Sequence, residues 1–151
     1  MALQILHRTL VFERRFPADV ERVFAALADP VQRALWSAPS DGAAFVYDEA
    51  DFRQGGRDIF RCGDKAAPQF TGVTTYIAIA PPIRIVSNEV VESGGAVLMA
   101  SLLTTELEAQ GPETDLRLTV QMVSFHGEEM VRGVEAGNAA ALDNLALHLA
   151  G

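Results

Sequence analysis

The stretch DLRLTVQMVSFHGEEMVRGVEAGNAAALDNLALHLA, residues 115–150, changes its hydrophobic period once, near Phe125. Before that point Leu116, Leu118, Val120 and Met122 alternate with Arg117, Thr119 and Gln121, which is the period of a strand with one buried and one wet face. After it Met130, Val134, Ala141, Leu142, Leu145 and Leu149 form an apolar stripe, with Arg132, Glu135 and Asp143 away from it. The spacing predicts a helix over 128–150, roughly 34 Å long at 1.5 Å per residue. Glu128 and Glu129 suit the positive end of its dipole. An amphipathic strand running into so long a helix needs a sheet on which the helix can bury its stripe.

Working back toward the N-terminus, the same two periods order the rest of the chain. Leu3 to Phe16 holds β-branched and aromatic residues without glycine or proline and reads as an opening strand. Val20, Val23, Phe24 and Leu27 then recur at helical spacing. Asp29-Pro30 marks a second helix, with Asp29 as N-cap and Pro30 at the first helical position, carrying Leu35 and Trp36. Strands follow over 45–49, 57–62, 70–80, 83–91, 97–107 and 115–125, separated by turn signals such as Pro81-Pro82, Ser93-Gly94-Gly95 and Gly111-Pro112. The order is β-α-α-β(6)-α, an α+β domain in which an antiparallel sheet of about seven strands curls around the C-terminal helix. A strongly bent sheet does not touch the helix everywhere, so a cavity between them is expected.

Composition narrows the function. The chain has 151 residues, the size of a single domain spanning 1–151. Its composition is 49% hydrophobic and 21% charged, with a net charge of −8, so neither nucleic acid nor an anionic membrane surface is an expected partner. One cysteine, Cys62, excludes an intrachain disulfide and a cysteine zinc site. The residues from Met1 to Arg8 lack the basic region and apolar core of a secretory leader, and the expected compartment is the cytoplasm. No metal site and no cofactor are expected: the three histidines, His7, His126 and His148, have no HxH or HExxH spacing. An exposed sheet edge would allow a homodimer.

The pair Gly55-Gly56, between Arg53 and Arg57, could present backbone N–H groups to a phosphate. A phosphate cradle feeds a helix N-terminus, however, and strand-like Arg57-Asp58-Ile59-Phe60 follows here. A bend between two strands accounts for the pair. The cavity wall is expected to include Trp36, Ile59, Arg61, Tyr76, Met99, Val120, Met122, Val134, Asn138 and Leu142. Asn138 stands on the apolar helix stripe, so it either bonds within the fold or faces a wet or ligand-filled space. Cys62 reads as an inert thiol. His126, at the junction of last strand and long helix, is the candidate general base.

Five landmarks in register add a resemblance: FERRFPADVERVFAALADPVQRALW at 12–36, DFRQGGRDIF at 51–60, GVTTYIAIAPPIRIV at 72–86, SLLTTELEAQGPETDLRLTVQ at 101–121 and EAGNAAALDNLALHL at 135–149. With these the chain resembles the helix-grip, START-like (SRPBCC) superfamily, and within it the bacterial proteins named after the activator of heat-shock protein 90 ATPase. The resemblance implies a helix-grip fold and binding of a small, largely hydrophobic ligand between sheet and C-terminal helix. A polyketide cyclase- or hydrolase-like enzyme using the same cavity is the alternative it implies, with His126, Arg61 or Tyr76 moving or polarising a proton. Activation of a chaperone ATPase is a further alternative, which rests on the family name alone.

Overall fold

The computed structural model describes residues 5–38 and 40–151. The expected beginning of the first strand at Leu3 and Gln4, and the leaderless reading of Met1 to Gln4, lie outside the described residues. The elements are β1 (Leu6–Phe16), α1 (Val20–Ala28), α2 (Pro30–Trp36), β2 (Ala43–Ala50), β3 (Arg57–Asp64), β4 (Phe70–Ala80), β5 (Arg84–Ser93), β6 (Ala96–Gln110), β7 (Glu113–Ser124) and α3 (Gly127–Ala150). This is the expected β-α-α-β(6)-α order and helix-grip fold.

All seven strands join one antiparallel sheet in the order β1-β7-β6-β5-β4-β3-β2. Strands β2 to β7 follow one another as hairpins, while β1 pairs with the last strand. The chain must therefore pass from one sheet edge to the other between β1 and β2, and α1 and α2 make that passage. Asp19 caps α1, accepting from the Arg22 N–H, and Asp29 caps α2, accepting from the Val31 N–H.

Helix α3 lies against the concave face. Its stripe is Val131, Val134, Asn138, Leu142, Leu145 and Leu149; Val131, rather than the expected Met130, is the buried residue of its first turns. Its closest approaches to the sheet are to β1 and β7, and it also meets α1 and α2. Arg22 of α1 donates to the Leu149 carbonyl at 2.6 Å and to the Gly151 carbonyl at 3.1 Å, satisfying acceptors that the helix end leaves free. Asn144 does the same for the end of α2, donating to the carbonyls of Trp36 at 3.4 Å and Ala38 at 2.8 Å. The core fills the angle between these helices and the β1–β7–β6 side, with Phe16, Val23, Leu145 and Leu149 shielded from solvent. The β3–β5 side of the concave face lies beyond the closest reach of α3, and there the sheet encloses a space.

Register sorts the faces of that region. The rows Tyr47–Phe60–Gly72–Val91–Met99 and Asp58–Thr74–Glu89–Ser101–Met122 face inward, and Ile59–Val73–Val90–Ala100–Val123 faces outward. Bulges at Tyr47/Glu49, Tyr76/Ala78 and Val91/Glu92 bend the sheet. Gly72 is required by its neighbour: a Cβ there would sit 2.0 Å from Cζ of Phe60. Phe60 lies across this glycine and stacks on Phe45 with centroids 4.6 Å apart.

Gly72→Ala should therefore displace the Phe60 ring and cost roughly 1–3 kcal/mol, as overpacked sites do. Urea unfolding monitored by circular dichroism measures this. A loss below about 0.5 kcal/mol would mean that the ring has room to yield.

Candidate functional site

That space is a half-open cavity of about 170 Å³. Leu27 and Trp36 close it from the crossover helices, Phe45, Phe52 and Phe60 from the β2–β3 side, and Ile85, Leu103 and Leu118 from β5 to β7. Asn138, Ala141 and Leu142 of α3 form its roof. The wall is thus aromatic and aliphatic, and its polar groups are concentrated on one side.

That side is built around Arg33. Its Nη1 donates to Asp58 Oδ2 at 2.5 Å and to the Tyr76 hydroxyl at 2.7 Å, and the Tyr76 hydroxyl donates to the same carboxylate oxygen. The Asp51 backbone N–H donates to the other oxygen, Oδ1, at 3.2 Å. Arg33, Asp58 and Tyr76 are 6%, 1% and 5% exposed, so the cluster is held out of water. The guanidinium also lies 4.7 Å above the Tyr47 ring, a cation–π contact inside the fold. Burial alone would lower the Arg33 pKa, but its hydrogen bond to Asp58 and the surrounding oxygens outweigh this and raise it. Burial pushes the Tyr76 hydroxyl up, so it remains a phenol.

Local sequence explains how these groups meet. Arg33 and Trp36 are three residues apart on α2 and share its inward face. Asp58 and Phe60 share the inward face of β3. Tyr76 stands at the β4 bulge, and the Gly55-Gly56 loop grips it there: the Gly55 N–H donates to the Tyr76 carbonyl at 2.8 Å and the Tyr76 N–H to the Gly56 carbonyl at 3.0 Å. Gly55 has φ +80°, and a Cβ on Gly56 would fall 2.3 Å from the Asp51 carbonyl oxygen. The pair joins β2 to β3, as expected of a bend, and it also fixes the backbone of a cavity residue.

Glu89 completes the polar side. It faces Thr74 across β4–β5 and lines the cavity. Burial pushes its carboxyl up to about 7; a hydrogen bond to Thr74 works against this, and the charge of Asp58 works with it. Nearby Cys62 is pushed up to about 11, mainly by burial, and stays a thiol at neutral pH. Among the described residues no group of three or more His, Cys, Asp and Glu side chains could hold a metal ion.

Of the residues expected at the wall, the structure brings together Trp36, Tyr76, Asn138 and Leu142. Ile59 and Arg61 face outward because strand alternation turns Asp58, Phe60 and Cys62 inward; Arg61 instead pairs with Asp48 at 2.8 and 3.0 Å. Met99, Val120 and Met122 are buried in the core away from the cavity, and Val134 packs against that core. Asn138 donates to the Val134 carbonyl one turn back, at 2.9 Å. His126 is exposed at the start of α3 and does not line the cavity. Arg33, Asp58 and Glu89 escape a sequence reading because each looks like a surface charge. Two wider grooves, of about 810 and 550 Å³, run over the β1–β7–β6 side, the larger one edged by the surface ion pairs Arg15–Asp115 and Arg117–Glu13.

Two outcomes follow for stability. Asp58→Ala leaves a buried guanidinium without its counter-ion and should cost roughly 3–5 kcal/mol in urea unfolding, whereas Arg61→Ala should barely move the midpoint. Glu89 holds its proton longer in the folded state than in the unfolded one. Stability should therefore fall as pH rises from the ordinary value of 4.5 through about 7. Glu89→Gln removes that slope and should be more stable than the wild type at about pH 8, by roughly 1–3 kcal/mol. Parallel pH profiles for the two proteins would show that the carboxyl ionises as freely folded as unfolded.

Comparison with known proteins places this geometry. A protein of Rhizobium loti is 33% identical, with a TM-score of 0.85 over 97% of this chain and 100% of that one. A protein of Rhizobium leguminosarum is 30% identical, with a TM-score of 0.83 over 96% of this chain and 95% of that one. A Chromobacterium violaceum protein at 23% identity shares the fold, with a TM-score of 0.78 over 93% and 96% of the two chains. No curated protein matches. The family model described as "Activator of Hsp90 ATPase homolog 1-like protein" matches residues 17–150, and the chain belongs to that SRPBCC-type family.

Proposed function

We propose that this protein binds a small, largely apolar molecule in the cavity between its curved sheet and α3. One observation carries the reading: an aromatic and aliphatic wall lines a half-open cavity of about 170 Å³ beside a set of buried, mutually fixed polar groups. Apolar burial at about 25 cal/mol per Å² supplies affinity in such a site, and a few placed polar groups supply orientation. The family's fold supports a ligand-binding role. A soluble, cytoplasmic setting without nucleic-acid or membrane partners fits this proposal; among the described residues no helix is long and apolar enough to cross a membrane.

A second reading, an enzyme in the same cavity, is favoured by a specific observation. Two carboxyl groups, Asp58 and Glu89, and the Tyr76 phenol converge on the cavity. Acid–base chemistry needs such groups close to a bound molecule. In this reading Glu89 replaces His126 and Arg61 as the proton-transferring group, because neither of those lines the cavity.

Trp36 is the single tryptophan and lines the cavity, which makes it an internal reporter. Titration with naphthalene should change Trp36 fluorescence saturably, and Ala141→Phe, which fills the roof, should weaken binding by about tenfold or more. Undiminished binding by a folded Ala141→Phe protein would place the site elsewhere.

A further inference from the structure

The outward face of the sheet carries a pattern that the cavity does not use. Strand register sets residues of β1, β7, β6 and β5 side by side in successive rows. One row is Glu13–Arg117–Glu106–Arg84, and the next is Val11–Thr119–Thr104–Val86. The two rows beyond hold no acidic side chain, lysine or arginine, and they include Leu102, Ala100, Val123 and Val90. Leu116, Leu118, Val120 and Met122 of β7 are buried in the core, so strand alternation turns these rows to the outside. Val11, Leu102 and Val90 are 54%, 38% and 37% exposed. The solvent face of an antiparallel sheet is ordinarily polar, and a continuous uncharged surface with exposed aliphatic side chains marks an interaction site.

We propose that this face binds a second copy of the chain, forming a symmetric dimer. The charged row identifies the partner. It alternates in sign and has four members, so read from its other end it becomes Arg–Glu–Arg–Glu, the complement of itself. A two-fold axis in the interface, parallel to the strands and between β7 and β6, performs that reversal. It sets Arg117 against Glu106 of the second copy, and Glu13 against Arg84 of that copy, each contact occurring twice. The same axis sets Val11 against Val86 and Thr119 against Thr104, because the second row has the same residue types from either end. Twisted sheets pack face to face in this aligned manner.

Net charge favours the same face. Two copies of a chain that carries −8 repel one another over most of their surfaces. The four charges of the row sum to zero and the rows beyond add none, so two copies can approach here without that penalty. Past the charged row, Arg15 and Asp115 hold each other at 2.7 and 2.9 Å and form the rim with Glu108. Four strands about 4.8 Å apart and four rows about 6.8 Å apart give a footprint of roughly 500 Å² on each copy. Together these approach about 1,000 Å², the lower end for a specific interface, so the dimer is a weak one. The cavity lies on the concave side of each copy, and dimer formation is therefore independent of the ligand-binding reading.

Sedimentation velocity of the full chain from about 10 μM to about 1 mM should show a monomer–dimer equilibrium with a Kd on the order of 100 μM. Arg117→Glu sets acid against acid at both central contacts, and Glu106→Arg sets base against base. Each variant alone should self-associate at least about tenfold more weakly than the wild type. Mixed in equal amounts, the two should associate again at close to the wild-type affinity, because each then supplies the charge that the other lacks. Leu102→Glu, which puts a charge into the uncharged rows, should also weaken the dimer about tenfold or more. Thermal unfolding shows whether each variant is folded. A chain that stays monomeric up to about 1 mM overturns the proposal. So does a dimer that all three variants form as tightly as the wild type, which would join along the strand edges instead. Folded Arg117→Glu and Glu106→Arg proteins that fail to associate when mixed overturn the two-fold arrangement.

Discussion

The pairing of Arg33 with Asp58 is the constraint around which the cavity side of this protein is organised. A guanidinium and a carboxylate at 6% and 1% exposure are tolerable only while each holds the other, because desolvation of a lone charge costs several kcal/mol. The pair therefore fixes α2 against β3, two elements that share little other packing. Tyr76 joins the pair through its hydroxyl and ties in β4, and Tyr47 covers the guanidinium from β2. One ion pair thus binds the crossover helices to the far half of the sheet, where α3 does not reach closely.

Glycines allow that arrangement where side chains would prevent it. Gly72 leaves room for the Phe60 ring, and Gly55-Gly56 lets a loop close onto both backbone groups of Tyr76. The loop delivers the Asp51 N–H to Asp58 as well. Backbone geometry here positions the buried polar groups to within a hydrogen bond. A site held this way is preorganised: its groups are oriented before anything enters the cavity. The remaining polar group, Glu89, lies opposite Thr74 with no ion-pair partner among the described residues, and burial raises its pKa so that its proton is retained.

The elements and their order were legible from periodicity. Asp29-Pro30 declared the second helix, the alternation after Asp115 declared the last strand, and the stripe to Leu149 declared the long helix. The cavity wall was legible only where the residues are large and apolar or lie on that stripe, as at Trp36, Tyr76, Asn138 and Leu142. Strand β3 was read on its other face, because Ile59 looks buried and Asp58 looks exposed when each is judged alone. Strand β5 has no hydropathic sidedness: Ile85, Ser87, Glu89 and Val91 face in, and Val86, Asn88 and Val90 face out.

By itself the sequence determined which segments are helix and strand, their order, and the sheet-and-helix class, since those follow from local period and capping chemistry. Only the tertiary structure decided that Arg33, Asp58, Tyr76 and Glu89 share one cavity. They come from α2, β3, β4 and β5, and each is unfavourable to bury alone. What makes their burial tolerable is a partner distant in sequence, 25 residues away for Arg33 and Asp58. No local pattern of hydrophobicity records such a partner.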